Sequence, residues 1–308
     1  MKKIVYIIVL IAFLSYILIF PAEAVSAAAV GLNLWFEKML PTLLPFAILS
    51  YILIHSGILD SFAQALHCLL KHVFPVSSAG IYPLVAGLLF GFPMGSKITA
   101  DLVSAGKMTK DEGQRLFCVC NNISPMFIAS FILNDCLGRP DLRVATYLIL
   151  YTPPLALYMA LNRNRSFCPP KAPALSLKSK KTTSMSFQII DAGIMNGFET
   201  LAKLGGYIII FAILAQMSML LPVPSQIGKC LIIGFTEITN GISYTARQGM
   251  EFQIAYPLMV AYTAFGGLSG FAQTASMVKE AGFSMAPYFL IKIFQTISAV
   301  ALALLFLC

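Results

Sequence analysis

Charge is scarce in this chain. Of 308 residues only 11% are Asp, Glu, Lys or Arg, against roughly a quarter in an ordinary soluble domain. With 58% of residues apolar and a mean hydropathy of +0.82, there is too little polar surface to face water. That excludes an extramembrane enzyme of ordinary composition. Histidine is nearly missing, with three residues, and seven Cys are scattered at 68, 118, 120, 136, 168, 230 and 308. Neither set has the spacing of a metal site or a disulfide framework, so buried structural thiols are expected and no metal. His67 and His72 read as loop residues beside Lys71. Apolar content excludes disorder, and the 21 Gly lack the triplet period of a collagen-like fibre. At ~20 residues per crossing, the length allows about seven to ten membrane segments. The expected fold is an all-α polytopic membrane protein.

The formal charge is +8 and two places account for it. Lys2 and Lys3 contribute two positives, and residues 162–185 contribute six more without an acid: Arg163, Arg165, Lys171, Lys178, Lys180 and Lys181. The remainder is balanced, which leaves no basic face for phosphates and argues against nucleic acid as a partner. Basic loops stay in the cytoplasm, so 162–185 is expected there.

Residues 1–24 read as a signal-anchor helix, with cleavage after Ala22-Glu23-Ala24 as the alternative. Residues 25–161 then form one repeat and 186–308 a second. Each is expected to open with an amphipathic interfacial helix, Ala24–Leu40 and Phe187–Lys203. A span follows, Leu43–Ile58 in the first and Gly205–Leu221 in the second, and full spans close the halves at Leu142–Leu161 and Ala286–Leu307. Between them lie apolar runs too short to cross comfortably: Ala79–Phe92 and Pro125–Leu133, then Gly228–Phe235 and Ala255–Phe265. Shared residues support a true repeat. Gly31, Phe36 and Glu37 match Gly193, Phe198 and Glu199 at a spacing of 162, Gly91-Phe92 matches Gly234-Phe235 at 143, and Ser124 matches Ser269 at 145. If each pair of short runs is a broken or re-entrant unit, each half crosses three times and the repeats are inverted. Paired interrupted segments in inverted repeats are the architecture of secondary transporters, with the site at the midplane between them.

Four breaks are therefore the candidate site, because irregular backbone at membrane depth lines a cavity or is buried in protein. The first is Gly91-Phe92-Pro93-Met94-Gly95-Ser96-Lys97, where Ser96 is placed to cap the next helix. The second is Asn121-Asn122-Ile123-Ser124-Pro125, with Ser124 as N-cap and Pro125 at the first helical position. The third, Thr236 to Gly241, holds Glu237, Thr239 and Asn240; the fourth, Gly266-Gly267-Leu268-Ser269-Gly270, has Gln273 one turn on. Lys97 and Glu237 are the charges nearest these breaks, and intramembrane ionisable groups are functional candidates by default. Their alternative role is to pair with each other and hold the halves together. Helix N-termini, side-chain amides and one cation suit a small anion, while free carbonyls at the same breaks suit Na+. Substrate contacts are accordingly expected from Gly95, Ser96, Lys97, Asn121, Asn122, Ser124, Asn240, Gly266, Gly267, Ser269 and Gln273. Glu237 and Thr239 are expected to handle a coupling ion or pair a charge.

The segments 91–102, 120–128, 237–242 and 265–269 resemble, in order, the sporulation integral membrane proteins that carry nucleoside-recognition (Gate) domains. The resemblance covers roughly residues 25–300. It implies transport of dipicolinate across the outer forespore membrane during sporulation, with no cofactor beyond a coupling ion, Na+ or H+. Two alternatives stay open beside it: a nucleoside transporter, and a non-transporting membrane scaffold of spore maturation. Dipicolinate is a planar dianion, which Lys97 and two helix N-termini would offset, with Asn121 or Asn122 near the ring nitrogen. An enzyme is not expected, since Gly267-Leu268-Ser269-Gly270 lacks the G-x-S-x-G spacing and all three His lie outside the breaks. A bacterial cell membrane or the forespore membrane is the expected location, and a homo-oligomer is compatible with it.

Overall fold

In the computed structural model, residues 2–56, 59, 63–64, 68, 70, 74–163 and 187–307 are described. The basic linker beyond Arg163 and the segment around His67, Lys71 and His72 lie outside them. The described residues are mostly helical, without a strand.

Helix α1 (Lys2–Ile19) leads into α2 (Pro21–His55). Then come α3 (Ser78–Phe90), α4 (Met94–Ser104), α5 (Lys110–Cys120) and α6, which starts at Pro125–Phe127 and continues as a π-helix over Ile128–Cys136. A 3-10 turn (Pro140–Leu142) precedes α7 (Arg143–Asn162). After the linker come α8 (Phe187–Ser218), α9 (Gln226–Thr236), α10 (Ile238–Arg247), α11 (Phe252–Phe265), α12 (Gly267–Val278) and α13 (Met285–Leu307). The order on either side of the linker is the same: one long helix, two short helices folded on each other, one broken helix, one full span. Six helices among the described residues are long and apolar enough to cross a membrane: 21–55, 110–136, 140–162, 187–218, 252–278 and 285–307. Six is fewer than the length alone allows. The difference lies in α3/α4 and α9/α10, whose arms of 10 to 13 residues reach only about 20 Å at best.

The expected division into an interfacial helix and a separate span fails in both halves. Pro21–His55 is one 35-residue helix and Phe187–Ser218 one of 32 residues. Pro41 and Pro45 do not end the first of these. A wider π turn over Leu34–Met39 relaxes the hydrogen-bond register just where Pro41 lacks its N–H. The two long helices pack together through glycines at equivalent positions. A Cβ on Gly31 would sit 3.1 Å from the Ala212 Cβ and 3.2 Å from the Ile208 carbonyl oxygen, and one on Gly193 3.3 Å from the Tyr51 ring. Trp35 Nε1 donates to the Leu201 carbonyl at 2.7 Å. Small residues permit this close approach where lipid offers no hydrophobic drive between helices.

The last span shows how the chain sorts its residues. On α13 the buried face is Tyr288, Lys292, Gln295, Ala299 and Ala303, while Leu290, Ile297 and Leu305 are exposed. Polar groups inside and apolar groups outside is the pattern lipid demands. The two broken helices run antiparallel. At one end Gln114 of α5 exchanges hydrogen bonds with Ser284, just past α12, at 3.0 and 2.6 Å. At the other, Arg139, just past α6, lies 4.9 Å from the centroid of Phe252 at the start of α11.

Candidate functional site

Each short-helix hairpin places its tip on the break of the following broken helix. In the first half the arms approach through Gly87 and Gly95, whose Cα atoms face each other across the hairpin. A Cβ on either would run into the Cys120 carbonyl oxygen at the end of α5. At the tip Gly91 has φ +81°, a conformation an L side chain rarely adopts, and a Cβ there would lie 2.6 Å from the Ser124 amide nitrogen. Phe92 N–H donates to the Asn122 carbonyl at 2.6 Å. Ser124 caps α6 as the sequence indicates, accepting from Phe127 N–H at 3.3 Å with Pro125 next in line. In the second half Gly241 lies against Gly234, and the Gly266-Gly267 turn (φ +94° and +64°) sits beside Ile238 and the Phe235 carbonyl. The halves meet where Phe92 packs on Gly270, a Cβ on which would be 3.1 Å from the Phe92 ring.

A buried hydrogen-bonded network fills this meeting point. Ser96 Oγ donates to Asn121 Oδ1 at 2.6 Å, and Asn121 Nδ2 donates to Thr274 Oγ1 at 2.7 Å and Tyr288 Oη at 2.8 Å. Asn121 thereby uses its acceptor and both donors. Asn122 Nδ2 donates to the Val119 carbonyl at 2.7 Å, while its Oδ1 accepts from Gln295 Nε2 at 2.9 Å. Lys292 Nζ donates to Gln295 Oε1 at 3.0 Å and reaches the Ala264 carbonyl at 3.4 Å. Lys292 is 3% exposed, and among the described residues no carboxylate pairs with it. On α12, next to Thr274 in sequence, Gln273 Nε2 donates to Ser269 Oγ at 2.8 Å, and its Oε1 is buried without a partner. Buried polar groups are nearly always satisfied, so this acceptor and the unneutralised ammonium are the two open valences of the region.

Three expectations are corrected here. Lys97 does not face Glu237: it pairs with Asp101 four residues on, at 2.7 and 2.9 Å, so its charge is already answered on its own helix. Glu237 turns back onto α10, accepting from Thr239 N–H at 3.1 Å and from Asn240 N–H and Nδ2 at 2.8 Å each. Its carboxylate therefore occupies the helix N-terminus that was free for an anion. Thr239 and Asn240 serve that cap. Ser96 is not a cap either, since α4 starts at Met94 after Pro93, which turns Ser96 inward to Asn121. Gly95 and Gly267 contribute close backbone approach, and Gly266 a left-handed turn with open space around it. Ser96, Asn121 and Asn122 are brought together as expected, and Ser269 and Gln273 stand on the adjacent helix.

Asp101, Thr274, Tyr288, Lys292 and Gln295 escaped sequence reasoning. The signal for the last three was present: a lone cation inside the final apolar run, with 288, 292 and 295 on one helical face. A cavity of about 330 Å³ lies apart from this network, between the start of α2 and the end of α8, with Glu23, Ser26, Gln216 and Asn240 in its wall.

Fold and site define the class: a multi-pass integral membrane protein, all-α, with pairs of short helices closing on interrupted helices. The chain is similar to the "Sporulation integral membrane protein YlbJ" of Bacillus subtilis (strain 168), 24% identical over an alignment 317 residues long that covers 92% of this chain and 78% of that protein. No protein-family model matches the chain, and no solved structure does.

Proposed function

We propose that the chain is a secondary transporter or facilitator of a small organic anion, built as two inverted repeats with the site between them. The observation that carries this reading is Lys292, a buried ammonium with which no described carboxylate pairs, held at the end of α11 and joined through Gln295 to Asn122 at the other break. A buried charge demands a partner, and an anion entering the convergence supplies it. Lys292 thus takes the role first given to Lys97. Through Gln295 it joins Asn122, next in sequence to Asn121, whose own bonds reach Ser96, Thr274 and Tyr288, so polar side chains from both halves stand about the site. The antiparallel broken helices and the three candidate spans on either side of the linker support the inversion.

The named role of the similar Bacillus protein points to sporulation, and with the motif resemblance to dipicolinate as the anion and the outer forespore membrane as the place. The reading is of a carrier and not an enzyme. Purified protein in liposomes should take up labelled dipicolinate saturably and leave labelled uridine outside. Uptake of uridine without dipicolinate would make it a nucleoside transporter. Uptake of neither by folded protein would leave the scaffold role.

A further inference from the structure

The position of Lys292 bears on what drives the cargo, an inference that rests on the transport reading. Its ammonium is held by protein oxygens, the Ala264 carbonyl at 3.4 Å and Gln295 Oε1 at 3.0 Å. Ala264 is the penultimate residue of α11, which stops at the left-handed Gly266. The last carbonyls of a helix lack partners within it and carry its negative dipole end. Such carbonyls at an interrupted helix are where transporters seat a monovalent cation. Here that place is filled by a cation fixed to the chain.

We infer that Lys292 stands in for a dissociable metal cation, so that the coupling ion is a proton carried on its amine. The anion loads when Lys292 is an ammonium. When the amine gives its proton to water on the release side, the attraction that held the anion is gone. The groups around Nζ leave the amine as the proton carrier. Tyr288 on the same helix lies with its ring centroid 5.8 Å away. From α5 the Cys118 thiol is engaged with the Gln114 carbonyl and the Cys120 thiol with Thr99. From α11 the Tyr256 and Tyr262 hydroxyls are engaged with Thr146 and Thr245. From α7 the Leu150 carbonyl reaches it only through Gln295. No described carboxylate pairs with it.

The test uses full-length protein in liposomes with labelled dipicolinate, Na+-free buffer, and the membrane potential clamped with K+ and valinomycin. One proton per cargo predicts roughly tenfold accumulation for each pH unit, acid outside, at equilibrium. An imposed Na+ gradient should add nothing. Lys292→Arg keeps a cation that does not deprotonate, so accumulation driven by pH should be lost in it whatever exchange it retains, and the wild-type gradients decide the inference without it. Accumulation driven by Na+ in the wild type would overturn the inference without any variant. So would pH-driven accumulation that survives in Lys292→Arg or Lys292→Gln. A wild type that exchanges dipicolinate but ignores both gradients overturns proton coupling while sparing transport. A wild type without exchange removes the transport reading and this inference with it.

Discussion

Gly87→Val is expected to cost more folded protein than any substitution on the outer surface. The new Cβ would meet the Cys120 carbonyl oxygen and the Gly95 Cα, both main chain, and neither can swing aside as a side-chain end does. Overpacking a tight core costs about 1–3 kcal/mol where side chains yield, so a clash with backbone belongs at or above that range. Gly206→Val is the control, because nothing lies within 4 Å of a Cβ there. Size-exclusion profiles after mild detergent extraction, with melting midpoints, should show Gly206→Val near wild type. Gly87→Val should be aggregated, or lowered by several degrees. Equal stability of the two would mean that the first hairpin does not sit on the α5 terminus as described.

The second large effect concerns Asn121. Leucine there keeps the approximate volume and removes all three hydrogen bonds, to Ser96, Thr274 and Tyr288. Partners stranded in a buried site cost about 1–3 kcal/mol each. Thr274 retains its bond to the Gly270 carbonyl at 2.7 Å, so the loss falls mainly on Tyr288 and Ser96. The melting midpoint of Asn121→Leu should fall by several degrees, and dipicolinate uptake per folded molecule should fall with the loss of the network that positions the convergence. Tyr288→Phe removes a single bond and should sit between this variant and wild type. Full activity in Asn121→Leu would place the cargo elsewhere in the molecule.

Much of this arrangement was legible in the sequence because its punctuation is chemical. Gly91-Phe92-Pro93, Ser124-Pro125, Glu237 and Gly266-Gly267 interrupt apolar runs with residues that end, cap or turn helices, and all four interrupt helices in the structure. Two other features were not legible. Continuity of the long helices depends on a π turn over Leu34–Met39, which no single residue type announces. The partners that Lys97 and Glu237 take are not legible either, because the sequence does not say which way a side chain at a break turns. Side chains reach their own helix first, Lys97 to Asp101 at i+4 and Glu237 to the amides of its own first turn. Lys292 was passed over inside a span that otherwise reads as apolar. Its neighbours Tyr288 and Gln295 only become a constellation once α13 is seen against Asn121 and Asn122, more than 160 residues earlier in the chain.

The central claim is that a small organic anion binds where the two hairpin tips and the two helix breaks converge. The most direct measurement is a structure of the protein in lipid nanodiscs saturated with dipicolinate. A planar density should appear between the Phe92 tip and the Gly266 turn, with a carboxylate turned toward Lys292 and bonded to groups from both halves. Density confined to the cavity beside Glu23 and Asn240, or no density in folded protein at saturating dipicolinate, would contradict it.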